Sequence, residues 1–291
     1  MDREQQRAVI REALAGTPRT KKTEAEERRL FAMFSASMPL DPSLTTEDVT
    51  LGGRPAVRLS AGEPQAGPTL LYLHGGGFVV GSGRTGARLA GALIARSGGV
   101  AYSLDYRLAP EHPFPAASRD ALAAYRELIG RGEVLVAGDS AGGGLVISLL
   151  IAARDAGLPQ PAAAVVFSPW VDLTLSGDSL RTRDGVDPLF EPASLRWYAE
   201  RYAPGAELAA SPLFADLTGL APLLVQVGDE ELLLDDAVRL AERATAAGVA
   251  VTLEVGAGLP HVYQHHFGRL DDAVDALDRA AAFLTRARAG A

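Results

Sequence analysis

The chain has 291 residues, of which 47% are apolar, enough for one large α/β domain or two small ones with a sizeable core. A net charge of −8 and a pI near 5.2 exclude partners recognised through phosphate, nucleic acid and anionic membranes alike, because the densest basic spots, Lys21-Lys22 and Arg28-Arg29, lie among acidic residues. The absence of cysteine removes disulfides, thiolate metal sites and a cysteine nucleophile.

The first residues, Met1-Asp2-Arg3-Glu4-Gln5-Gln6-Arg7, carry both signs of charge and lead into no signal-type apolar segment, so a cytoplasmic protein is expected. The longest apolar window, around Leu145 to Ala153, is too short to span a membrane, and no membrane insertion is expected. Residues 1 to 40 read as helical, with one segment over Glu4–Leu14 and another over Thr23–Met38 that sets Leu30, Phe31, Met33 and Phe34 on one face. Two β-type segments follow, Thr46–Leu51 and Ala56–Leu59, with Gly52-Gly53 as a hairpin signal, and then a surface loop over Ala61–Pro68.

From Thr69 the pattern alternates. Strands are expected at 69–73, 99–104, 133–137, 163–168, 222–227 and 250–255, and helices at 84–97, 116–130, 141–156, 232–247 and 268–287. That order predicts an α/β fold with a mostly parallel sheet covered on both faces. One interval, from Asp172 to Leu220, has no strand pattern and holds a short helix, Pro192–Tyr202, carrying Trp197, Tyr198 and Tyr202; it reads as an inserted subdomain.

Two motifs carry chemistry. The apolar run Val134-Leu135-Val136-Ala137 ends in Gly138-Asp139-Ser140-Ala141-Gly142-Gly143 and passes straight into a buried helix, which places Ser140 in a strand-to-helix turn of the nucleophile-elbow type. A bare Gly-Ser loop is the alternative, and the strand and helix on either side speak against it. The second motif, His74-Gly75-Gly76-Gly77-Phe78, follows the strand Thr69–Leu73 and leaves backbone N–H groups uncovered at its end. Together with the Ala141 N–H these could surround an oxyanion, each donor being worth about 3 kcal/mol of barrier. A phosphate cradle is disfavoured, since no Walker lysine and no G-x-G-x-x-G helix start accompany the glycines. His74 is expected to hold the loop. Phe78 adjoins it and is the aromatic expected at the substrate, whereas Phe31, Phe34, Trp170, Phe190, Trp197 and Tyr198 read as core in preference to the alternative, acyl-pocket lining.

With Asp105-Tyr106-Arg107-Leu108-Ala109-Pro110-Glu111 between them, these motifs resemble the bacterial hormone-sensitive-lipase family of esterases, from about residue 68 to the C-terminus. The resemblance implies an α/β-hydrolase core over 46–171 and 211–291, with a helical cap built from 1–45 and 172–210. It implies hydrolysis of short- to medium-chain carboxylic esters, with oxyanion donors at Gly76, Gly77 and Ala141, and treats the Asp105–Glu111 stretch as structural support; by sequence alone Asp105, Arg107 and Glu111 read as a salt-bridged loop at a strand end.

In this fold the order is Ser, acid, His, which puts the base at His261, after the strand Val251–Val255 and ahead of the last helix; His265 and His266 stay as alternatives. The family's acid pattern registers on Glu231-Leu232-Leu233-Leu234-Asp235-Asp236 and makes Glu231 the acid, in place of the commoner Asp, with Asp229 and Glu230 as alternatives. Asp235 and Asp236 fall in a first helical turn, where the helix dipole alone favours a carboxylate. The chemistry implied calls for no metal or cofactor, and for a small-molecule ester as partner; a homodimer is allowed. The competing readings are a lactone or amide hydrolase with the same triad, and a non-catalytic binding scaffold, against which the retained His261 speaks.

Overall fold

The computed structural model describes residues 1–16, 23–36, 40–61 and 68–289. The loop expected over Ala61–Pro68, the helix end at Met38 and the Lys21-Lys22 pair lie largely or wholly outside the described residues. Eight strands form one sheet in the order β1-β2-β4-β3-β5-β6-β7-β8. The hairpin β1 (Leu44–Leu51) and β2 (Arg54–Ala61) is antiparallel, β2 joins β4 (Gly99–Leu104) antiparallel, and every later pairing is parallel.

The central strands β3 (Thr69–Leu73), β5 (Val134–Asp139), β6 (Ala164–Phe167) and β7 (Leu223–Gly228) are buried almost throughout, which is why their sequences are continuous apolar runs and not alternating ones. β8 (Val251–Gly256) forms the far edge and is half exposed. Helices α3 (Gly83–Ser97) and α9 (Asp271–Ala289) lie on one face, while α4 (Ala116–Ile129), α5 (Ala141–Asp155) and α8 (Leu234–Ala246) lie with the other core layer. The apolar layers on the two faces are distinct, as a sheet covered on both sides requires.

Register is what positions the site. Leu73 pairs with Gly138, Asp139 with Phe167 and Gly228 with Gly256, so the strands carrying the two sequence motifs and the two C-terminal loops end at one level of the sheet. A doubly wound sheet gathers its ligands at that carboxyl edge.

Helices α1 (Arg3–Ala15) and α2 (Glu24–Ala36) precede the sheet. α1 starts on a capping box at Asp2 and buries Ile10 and Leu14. The expected apolar face of α2 is not buried: Leu30, Met33 and Phe34 are exposed, and Phe31 alone of the four packs against the core. The strandless interval holds α6 (Ser179–Thr182) and α7 (Pro192–Tyr202), the latter with the bounds the sequence predicts because proline occupies its first position and cannot sit deeper. Among the described residues no helix is long and apolar enough to cross a membrane.

Candidate active site

Ser140 sits between β5 and α5 with φ 53° and ψ −122°, a conformation rare for a residue with a side chain. It is held there from both sides: its N–H donates to the Phe167 carbonyl at 2.8 Å, and its own carbonyl accepts from Gly144 and Trp170. The glycines of the turn answer to crowding. A Cβ at Gly142 would stand 2.0 Å from the Leu73 carbonyl oxygen and 2.4 Å from that of His74, so the helix can approach β3 only without a side chain. The Ala141 N–H begins α5, where amides have no intrahelical partner and the helix dipole favours negative charge.

The loop after β3 turns on Gly76 and Gly77, with φ of 117° and 58°, and closes when Val79 and Val80 donate to the Gly76 carbonyl. Asp139 anchors it from beneath. Its Oδ1 accepts from the Gly75 N–H at 3.1 Å and from the Tyr72 hydroxyl at 2.7 Å, so the residue preceding Ser140 also sets the glycine loop. Burial opposes the charge on Asp139, but hydrogen bonding from His265 and Tyr72 outweighs it and holds the carboxyl below its ordinary value. His74 behaves as the expected loop holder: its Nδ1 lies 2.7 Å from the Gly75 carbonyl oxygen, and its ring stacks on Tyr106 at 4.2 Å.

His261 Nε2 lies 2.9 Å from Ser140 Oγ, and His261 Nδ1 lies 2.9 Å from Glu231 Oε1. Because a carboxylate only accepts, Nδ1 carries the proton and Nε2 offers its lone pair to the serine hydroxyl. All three side chains are buried, with Glu231 fully so and Ser140 the most exposed at 8%. Burial disfavours the imidazolium, yet the Glu231 charge and hydrogen bond, with Asp187 and Asp139 farther off, raise His261 above the ordinary imidazole value. Of the alternatives, Asp229 accepts from the Gly258 N–H and Glu230 pairs with Arg11, so neither is the partner of His261; His265 lies 3.6 Å from Asp139 instead of at the serine.

The sequence reading missed Ser168. Its hydroxyl donates to Glu231 Oε2 at 2.7 Å and accepts from the Val262 N–H at 3.0 Å, while the Gly228 N–H gives Oε2 a second donor. Glu231 is thus locked on both oxygens, and the longer glutamate side chain reaches His261 in place of an aspartate. The available signal was a polar residue ending the wholly apolar run Ala164–Phe167 at the carboxyl edge of the sheet. Ser168 and Val262 both have positive φ, 46° and 45°, as does Ser140; strained backbone of this kind gathers where surrounding structure over-determines a site.

Phe78, the aromatic expected at the substrate, is 3% exposed and stacks face to face on Tyr202 at 3.8 Å. Phe190 contacts the His261 ring edge-on at 5.2 Å, and the Tyr198 ring lies so close to Gly77 that a Cβ there would come within 2.4 Å of it; neither side chain is fully buried. Asp105, Arg107 and Glu111 do not pair among themselves. Arg107 binds Asp120 on α4 through backbone and guanidinium, and Glu111 forms a two-point pair with Arg28 on α2. Local spacing suggested one network, and tertiary packing supplied nearer partners.

Residues 70–265 match the sequence profile of a family described as alpha/beta hydrolase fold. The chain is 42% identical over 286 residues to an acetyl-hydrolase of Streptomyces hygroscopicus, covering 96% of both, and 36% identical to an ethyl acetate hydrolase of Pseudomonas putida, covering 81% of this chain and 79% of that one. Its fold superposes with a TM-score of 0.91 on the crystal structure of an esterase from the bacterial hormone-sensitive lipase family, at 44% identity and 97% coverage of each. The chain belongs to that family. It is a carboxylic ester hydrolase of the α/β-hydrolase fold. In this esterase the serine, histidine and carboxylate arrive from three separate loops, after β5, β8 and β7, at one edge of one sheet.

Proposed function

We propose that the esterase is a serine carboxylesterase for short- to medium-chain esters, with Ser140 as nucleophile, His261 as base and Glu231 as the acid that orients it. The observation that carries this is the relay of two 2.9 Å contacts, Ser140 Oγ to His261 Nε2 and His261 Nδ1 to Glu231 Oε1. As Ser140 Oγ attacks the ester carbonyl carbon, its proton passes to Nε2, and Glu231 stabilises the imidazolium. The tetrahedral oxyanion takes hydrogen bonds from the N–H groups of Gly76, Gly77 and Ala141. Nε2 then returns the proton to the departing alcohol oxygen, the acyl-enzyme forms, and water repeats the route to release the acid. No step calls on a metal or cofactor.

Residues 1–45 and 172–210 act in this reading as a cap that limits the pocket. Tyr198 supports a short acyl preference, because its ring occupies the space directly over Gly77. The names of two relatives, acetyl-hydrolase and ethyl acetate hydrolase, point the same way.

Initial rates on p-nitrophenyl esters from acetyl to palmitoyl test the reading, with Ser140→Ala as the blank. Rates should peak at short chains and vanish in the blank; substantial turnover by Ser140→Ala would reject the nucleophile. Glu231→Gln should lower kcat about 10³- to 10⁴-fold, the loss expected when an amide replaces the carboxylate behind the imidazole. Since activity needs neutral His261 and its folded-state value is raised, the acid limb of kcat/KM should lie above the ordinary imidazole value of about 6.5 and activity should fall as pH drops through it.

A further inference from the structure

Asp187 is a buried carboxylate that the proposed reaction does not use. It is 1% exposed and lies in the 172–210 insert, outside every motif of the sequence. Its two oxygens take different partners. Oδ2 accepts from the N–H of Leu232 at 2.9 Å, the residue after Glu231. Oδ1 accepts from the N–H groups of Leu189 at 2.8 Å and Phe190 at 2.9 Å. Phe190 in turn meets the His261 ring edge-on, at 5.2 Å and an interplanar angle of 74°.

One carboxylate therefore ties the loop that bears Glu231 to the loop that bears the aromatic wall of His261. We propose that Asp187 is a positioning residue for the acid–base pair, setting Glu231 through Leu232 and the imidazole through Phe190, so that the insert completes the catalytic geometry as well as covering it. This rests on the assignment of Ser140, His261 and Glu231 above.

Three observations favour the role over simple loop support. A buried carboxylate is costly unless hydrogen bonds compensate it, and here the backbone N–H groups of Leu189, Phe190 and Leu232, which donate to Asp187, belong to the segments that carry Phe190 and Glu231. The charge of Asp187 also favours the imidazolium, after that of Glu231 and together with that of Asp139. Burial raises the carboxyl of Asp187 itself, against the pull of the Phe190 and Leu232 N–H groups and of His261. Finally, a displacement of one ångström in a reacting group is enough to cost about a hundredfold in rate.

The test is kinetic, on Asp187→Asn, Phe190→Leu and the double variant, with p-nitrophenyl acetate. Asp187→Asn keeps size and one acceptor but removes the charge and turns a donor toward an N–H group. Expected is a fall in kcat of about tenfold or more with KM changed less than about threefold, since the pair and not the substrate pocket is disturbed. Loss of a negative charge beside His261 makes the imidazolium harder to form, so the acid limb of kcat/KM should move to lower pH. The double variant should lose less than the product of the single losses, because both act on the same ring. An unchanged limb together with kcat within about twofold of wild type would overturn the proposal, as would multiplicative losses in the double variant. Should Asp187→Asn fail to fold, as near-ultraviolet circular dichroism would show, Phe190→Leu alone decides: an unshifted kcat and acid limb there overturn it too. These outcomes are distinct from failure of the triad itself, which would appear as activity in Ser140→Ala.

Discussion

The two stretches that flank the site are fastened to the sheet by opposite means. The insert is held largely by carboxyl groups: buried Asp236 accepts from the N–H groups of Val171 and Asp172, buried Asp172 from those of Thr174 and Ser176 and from the Arg239 guanidinium, and half-buried Asp235 from that of Ser179. The N-terminal helices bury Ile10 and Leu14 of α1 and make their polar contacts through partly exposed arginines. Arg3 and Arg7 reach Asp272, Arg11 reaches Glu230, and Arg28 reaches Glu111 and the carbonyls of Val79 and Ala109. α2 buries no residue at all.

The difference teaches which part is core. Removing an acceptor from a buried N–H leaves it unsatisfied, a cost of about 1–3 kcal/mol each, whereas an exposed ion pair contributes about 0.2–1 kcal/mol and is screened by salt. The insert is accordingly a continuation of the sheet's hydrogen-bonded frame. The N-terminal helices, joined to the rest largely through half-exposed ion pairs, are expected to open locally at lower cost.

The largest effect that could break this contrast is on the insert. Asp236→Ala strands two buried N–H groups and should lower stability by about 3 kcal/mol, read as a fall in the calorimetric Tm. A drop of less than about 1 kcal/mol would mean that the insert is not held as described.

A pH profile of stability sharpens the same side. Burial pushes Asp236 up to about 8, against its backbone donors, while the ordinary carboxylate value is about 3.9. Between those values the folded chain keeps a proton that the unfolded chain has lost, so stability falls as pH rises through the window and levels above it. The difference between wild type and Asp236→Asn should carry that slope; parallel curves would refute it.

Smaller effects belong to the N-terminal side. Arg28→Ala removes the Glu111 pair and two carbonyl contacts, and should cost about 1 kcal/mol in the local opening of α2 while leaving the global Tm nearly unchanged. Amide exchange along Glu24–Ala36 measures it. The smallest is the response to salt: about 0.5 M NaCl should speed exchange in α2 of wild type and scarcely alter the Arg28→Ala variant. Equal salt effects in both would show that the arginine pair is not what holds the helix.

Much of the site was readable because its chemistry is local in the chain. The glycines around Ser140 and after β3 have a purely backbone reason to be there, and that reason acts within a few residues. The α5 run and the four central strands are apolar on every side because both faces of the sheet are covered, and that too is written in short windows. What escaped were contacts across the fold. Ser168 stands 63 residues from Glu231 and 94 from Val262, and nothing near it hints at either. Asp187 contacts a residue 45 positions away, and Phe78 stacks on Tyr202, far along the chain.

The sequence by itself determined the α/β alternation, the strand positions to within a residue or two, the glycine-flanked turn at Ser140, the glycine loop and the short set of histidines and carboxylates from which a base and an acid could come. Only the tertiary structure decided which carboxylate faces His261, where the arginines of the N-terminal helices land and which aromatics meet the reacting atoms. The physical reason is range: backbone conformation and burial period are set by neighbours in the chain, whereas hydrogen bonds and ion pairs are set by whichever partner the register of the sheet brings within about 3 Å.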